Sequence, residues 1–214
     1  MLTGLEKVEL SVDVCRLANA RKTGEALNDL GVGFDDLLTT MEFIGDGAAG
    51  QAEKLLDAPF SKNRSKDAPF RKGRFGNGFW PVYYSALEWE TTVAECGHWH
   101  QREAIGTPEK PLVAHYQAVR CRLAGAVLDV RPKVLDWPFL VGDDEAYRDC
   151  QKLAGTAIDL GADALFCPSA RHPAGTTSPV FRRHALSNPR IVGRVKLSLS
   201  PDGAVVANWL RRDT

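Results

Sequence analysis

Apolar and polar positions alternate through "VELSVDVCRL" (residues 8–17), the signature of a half-buried β-strand. "FDDLLTTMEFI" (34–44) has the spacing of a short helix. Residues 57–73, "DAPFSKNRSKDAPFRKG", are basic, contain proline and lack periodicity, so they read as a loop. "WPVYYS" (80–85) is a short strand, and Ser85–Ala86–Leu87–Glu88 fits the S-x-x-E capping box, which predicts a helix from about Ala86. Trp89, Val93, Cys96 and His100 follow at helical spacing as its buried stripe. "VLDV" (127–130) is a further strand candidate. Asp143 or Asp144 caps a helix carrying Tyr147, Cys150, Leu153, Ala154, Ala157 and Ile158, with Gly161 placed to end it. "DALFC" (163–167) and "PVFRR" (179–183) are expected strands, separated by the turn-rich "PSARHPAGTTS". "IVGRVKLSLS", a Pro201–Asp202–Gly203 turn and "AVVANWL" predict a terminal hairpin. Strands and helices follow without regular βαβ alternation, which favours an α+β fold over a doubly wound sheet.

The chain has 214 residues, enough for one domain with a sizeable core, and no repeat, linker or low-complexity tract divides it. We expect a single domain over 1–214, with an extension or insert at about 20–70 inside it. Lys+Arg and Asp+Glu balance at 27 each, so charge gives no argument for direct nucleic-acid binding. No apolar run approaches the roughly 18 residues of a membrane span, and no signal-peptide core is visible. Five cysteines, odd in number, scattered and without a CxxC pair, suit buried thiols in a reducing compartment. The expected location is cytoplasmic.

Cys96, His98 and His100 invite a zinc reading, but a metal wants ligands converging on one point. On a helix Cys96 and His100 share a face while His98 points away, so a core cysteine with partly buried imidazoles is the favoured reading, and no metal is expected. Gly73-Arg-Phe-Gly76-Asn-Gly78 is glycine-rich, yet lacks the Walker lysine and does not satisfy G-x-G-x-x-G. Arg74 within it could hold a phosphate bidentately. Ser169 has no nucleophile elbow around it. Glu88, Glu90 and Glu95 are each possible carboxylates; Glu88 is given to the capping box, and a mid-helix Glu95 is by default solvated.

Taken together, "DVCRLANAR", "KGRFGNGFWPVYYSALEWETTVAECGHWH" and "LGADALFCPSARHPAGTTSPVFRRHAL" resemble, in order and spacing, the RES-domain family, the toxin half of RES–Xre toxin–antitoxin pairs. On that resemblance Arg16 corresponds to the first-strand arginine, Arg74 to the turn arginine, Tyr84 to the strand-end tyrosine, Glu95 to the helix glutamate and Ser169 to the serine. Arg21, Arg64 and Arg71 are further candidates for the diphosphate. The turn reads "GRFG" where many members have Arg–Trp–Asn, and Asn77 is the candidate replacement.

The resemblance implies an α+β fold like the diphtheria-toxin-type ADP-ribosyltransferases and NAD+ as substrate. It implies cleavage of the nicotinamide–ribose bond, with ADP-ribose passed to water, to phosphate or to a target protein. It also implies an Xre-type antitoxin as partner. The residue types suit that chemistry. Arginines bind a diphosphate. A fixed carboxylate, Glu95, stabilises an oxocarbenium-like ribosyl cation. Tyr84 offers a ring for nicotinamide and a hydroxyl, and Ser169 a hydrogen bond to the ribose or a phosphate. A non-catalytic nucleotide-binding domain is the rival reading from another class.

Overall fold

The computed structural model describes residues 5–19, 47–62, 68–106, 113–200 and 204–212. The helix expected over 34–44, Arg21, Arg64 and the turn 201–203 lie outside the described residues. Seven strands form one mixed sheet: β1 (Lys7–Asn19), β2 (Tyr83–Ala86), β3 (Val113–Asp129), β4 (Ala164–Pro168), β5 (Thr176–Val180), β6 (Leu186–Leu199) and β7 (Val205–Arg212). Among the described residues three helices accompany them: α1 (Gly47–Asp57), α2 (Trp89–Gly106) and α3 (Tyr147–Asp159). The α+β expectation holds.

The strand order is β1-β2-β5-β4-β3-β6-β7, and β1 also pairs with β3. Five strands therefore close on themselves, with β6 and β7 extending from β3. The β1–β2 link is a single bridge, Cys15↔Ala86, whereas β1 and β3 pair from Lys7↔Leu128 to Asn19↔Tyr116. Only the β3–β4 pair is parallel.

Side-chain alternation sorts the core around this ring. Val14, Tyr83, Cys121, Leu123, Val127, Ala164, Phe166 and Val180 cluster on one face, with Leu56 added from α1. Their opposite-face neighbours divide between two helices. Leu128, Leu165, Cys167 and Phe181 pack with Cys150, Leu153, Ala154 and Ala157 of α3. Cys15, Leu17 and Ala86 pack with Trp89, Val93 and Cys96 of α2 and with Trp209 of β7.

The capping box at 85–88 does not form. Ser85 stays in β2, opposite Ser178 of β5, and its Oγ donates to the Ser178 carbonyl at 2.7 Å. Ladder pairing out to Ala86 displaces the helix start to Trp89. Glu88 precedes the helix instead, and its carbonyl accepts the Thr92 N–H. The second expected helix is found as α3, introduced by a 3-10 turn at Asp144–Ala146. Gly161 just beyond it has φ +76, a left-handed conformation that ends the helix without side-chain strain.

Candidate active site

The serine and the glutamate singled out by the resemblance meet. Ser169 lies directly after β4 and Glu95 sits in the second turn of α2; the Ser169 Oγ donates to Glu95 Oε1 at 2.6 Å across 74 residues of sequence. The same oxygen accepts the N–H groups of Arg171, at 3.1 Å, and His172, at 3.0 Å. A hydroxyl has one proton and two lone pairs, so every hydrogen-bonding position of Ser169 is filled. Both lone pairs are engaged by backbone N–H groups, which lowers the nucleophilicity of the hydroxyl. The serine fixes the carboxylate, which is half-buried rather than solvated.

The loop between β4 and β5 is docked on α2 at a second point. Glu88 Oε2 accepts the Thr91 hydroxyl at 2.7 Å and the Thr176 N–H at 2.9 Å. His172 Nδ1 is 2.9 Å from the Thr91 Oγ1. Glu88, Thr91 and Glu95 thus form a polar stripe at i, i+3 and i+7, within a sector of about 60° on the helix. Sequence reasoning passed over Thr91, His172 and Thr176; the polar spacing could have flagged Thr91, but nothing local marks the other two.

Arg74 and Tyr84 come together in a neighbouring unit. The Tyr84 hydroxyl accepts the Phe75 N–H at 3.1 Å, so the strand-end tyrosine props the turn that carries Arg74. Tyr84 as a residue is 39% exposed, but its hydroxyl end lies against the turn, and burial pushes its pKa above the ordinary phenol value. Arg74 donates to the Leu140 and Gly142 carbonyls, each at 2.8 Å, and lies over the Tyr147 ring. Two of its five N–H groups are therefore committed to the chain itself. Asn77 Oδ1 takes the Phe79 N–H at 2.9 Å, a local turn bond.

Arg16 occupies the other face of the sheet. Its guanidinium stacks over the fully buried Tyr83 at 4.7 Å, and its Nη1 is buried without a hydrogen-bond partner. Arg71 is exposed.

Next to Ser169, Arg171 bonds Asp143 at 2.9 Å and keeps a buried Nε without a partner. Burial and the Arg171 and Arg102 charges lower the pKa of His98, whose Nε2 is likewise buried and unpaired.

The Cys96–His98–His100 reading fails on geometry. Cys96 packs into the core against the Leu17 carbonyl, and burial pushes its thiol up to about 12. Among the described residues no three His, Cys, Asp or Glu side chains converge as a metal centre.

Of the four motif residues Arg74, Tyr84, Glu95 and Ser169, two, Glu95 and Ser169, are in direct contact, while Tyr84 supports the turn that carries Arg74. The RES domain description matches residues 48–200, well over half of the chain. The chain belongs to the RES-domain family. A comparison with curated proteins finds no match. RES domains are associated with toxin-like, NAD-utilising activity. The matched segment of this RES domain contains Arg74, Tyr84, Glu95 and Ser169 and begins after Arg16.

Proposed function

We propose that this RES domain consumes NAD+, breaking the nicotinamide–ribose bond and passing ADP-ribose to water or phosphate. The observation that carries the reading is the Ser169–Glu95 hydrogen bond. It holds one carboxylate oxygen and leaves Oε2 to receive a ribose hydroxyl. As nicotinamide leaves with the bonding pair, positive charge develops on the ribose, and a fixed carboxylate stabilises that charge without reorganising. Ser169 is saturated with hydrogen bonds, so Glu95 acts by electrostatics and positioning rather than through a serine adduct.

The unpartnered Nε of Arg171, two residues from Ser169, is a donor suited to phosphate oxygens, whereas Arg16 stacks on Tyr83 away from that loop. The N–H groups of Arg74 beyond its two carbonyl bonds could serve the same end. Tyr84 holds the turn with its hydroxyl, and the part of its ring outside the turn is the aromatic surface proposed for the nicotinamide or adenine. An Xre-type antitoxin covering this site is the partner we propose, with the domain working in the cytoplasm.

The test is incubation of the purified protein with NAD+ labelled in the ADP-ribose half, with and without phosphate and cell extract. Free nicotinamide with ADP-ribose, or with its phosphorolysis product, is the expected result. Label on a protein band would redirect the reading to mono-ADP-ribosylation of a target. Binding of NAD+ with no nicotinamide released would make the domain a non-catalytic nucleotide binder.

A further inference from the structure

We infer that Thr91 and His172 are positioning residues: they clamp the β4–β5 loop to α2 and thereby deliver the Ser169 hydroxyl to Glu95. The protonation pattern follows from counting protons. Glu88 as a carboxylate can only accept, and it takes the Thr91 hydroxyl proton at 2.7 Å. That proton is single, so the 2.9 Å contact between Thr91 Oγ1 and His172 Nδ1 requires the ring to be the donor. His172 therefore carries its proton on Nδ1. The chain of bonds runs from imidazole to hydroxyl to carboxylate, and Glu88 receives the Thr176 N–H as well.

Both ends of the loop are tied by this network. Ser169 Oγ accepts the His172 N–H, so the residue that anchors the loop through its ring also orients the serine through its backbone. Gly175 lies against the same point. A Cβ there would sit 2.0 Å from Thr91 Oγ1 and 2.6 Å from His172 Nδ1, so only glycine lets the loop approach this closely. Thr91 is fully buried, which shields the network from water and strengthens it. None of these side chains needs to touch the substrate. Their effect is on where Ser169, and through it the Glu95 carboxylate, is held.

The kinetic part of the test rests on the NAD+-cleaving reading, and the spectroscopic part does not. Thr91→Val removes the hydroxyl at nearly constant shape. It is expected to lower kcat for nicotinamide release by about 10- to 100-fold, the cost of a catalytic group displaced by a fraction of an ångström to one, with KM for NAD+ near the wild-type value. Thr91→Ser, which restores the hydroxyl, is expected to recover most of the lost rate. Separately, nitrogen-15 NMR of histidine-labelled wild-type protein at about pH 8, where an ordinary imidazole is neutral, is expected to show His172 protonated on Nδ1. The signal is assigned by its loss in His172→Gln. An unchanged kcat in Thr91→Val, a Thr91→Ser as impaired as Thr91→Val, or a bare Nδ1 on His172 would overturn the inference. A wild-type protein that releases no nicotinamide defeats the proposed reaction, while the NMR result still decides the clamp. The same measurement decides it if Thr91→Val does not fold.

Discussion

Helix α2 has two working faces, and they differ in what they contribute. One carries Trp89, Val93 and Cys96 against β1, β6 and β7, with Trp89 meeting Trp209 edge-on at 5.4 Å. A groove of about 350 Å³ runs along this side between α2 and β7, lined by Val93, Gly97, Val205, Ala207 and the two tryptophans. The other face carries Thr91 and Glu95, continuing from Glu88 just before the helix. Thr91 and Glu95 meet His172 and Ser169 of the β4–β5 loop, while Glu88 accepts from Thr91 and from the Thr176 N–H at the start of β5. Apolar burial holds the helix on the sheet without regard to small shifts. The polar stripe fixes a carboxylate to within hydrogen-bonding tolerance. The lesson is that stability and chemistry are separated on one eighteen-residue helix, so substitutions on the two faces should fail in different ways.

The largest expected effect is on the polar face. Glu95→Ala should lower nicotinamide release by about 10²- to 10³-fold, the usual cost of removing a preorganised electrostatic group, with a melting temperature close to wild type. Trp89→Ala should do the reverse, costing about 3–5 kcal/mol of stability as a large core truncation, while the remaining folded fraction turns over NAD+ at a near-normal rate. Denaturant unfolding alongside the nicotinamide assay reads both. A Trp89→Ala protein that is stable but inactive would erase the distinction between the faces.

Arg74→Ala sharpens the comparison from outside α2. The guanidinium makes two hydrogen bonds to carbonyls of the segment before α3, and a hydrogen bond from a charged donor is worth about 1.5–3 kcal/mol. We expect a loss of stability of that order together with a raised KM for NAD+. A KM equal to wild type would assign Arg74 to the turn alone. The smallest effect is expected at the cysteines. Burial pushes Cys15 and Cys96 up to about 12 and Cys150 to about 11. Alkylation at neutral pH should therefore label these thiols only after unfolding. Rapid labelling of the native protein would contradict the packing around α2, for Cys15 and Cys96, or around α3, for Cys150.

Much of this was readable in the chain. Strict alternation exposed β1, the apolar stripe of α3 was strong, and the terminal hairpin announced itself in two alternating runs. The strand β3 was seen only at its end, within 127–130, because small residues and arginines dilute the alternation over 113–126. Two glycines and three alanines similarly mask α1, whose buried face is little more than Ala52 and Leu56. The capping box misled because local spacing cannot register that Ser85 has a ladder partner 93 residues away. Glu95 and Ser169 were reached through the family's motifs, not through periodicity. By periodicity alone Glu95 is a solvated helix residue, and only the fold brings Ser169 to it. The Thr91–His172 contact was invisible for the same reason: it joins residues 81 apart that carry no motif of their own.

The central claim is that Ser169 acts through Glu95 and not independently on NAD+. A double-mutant cycle on nicotinamide release by wild type, Glu95→Ala, Ser169→Ala and the double variant tests it directly. A loss of about tenfold or more is expected for Ser169→Ala alone, as for a mispositioned catalytic group. The double variant is expected to be no slower than Glu95→Ala. Losses that multiply, so that the double variant falls below Glu95→Ala by the full Ser169→Ala factor, would contradict the claim.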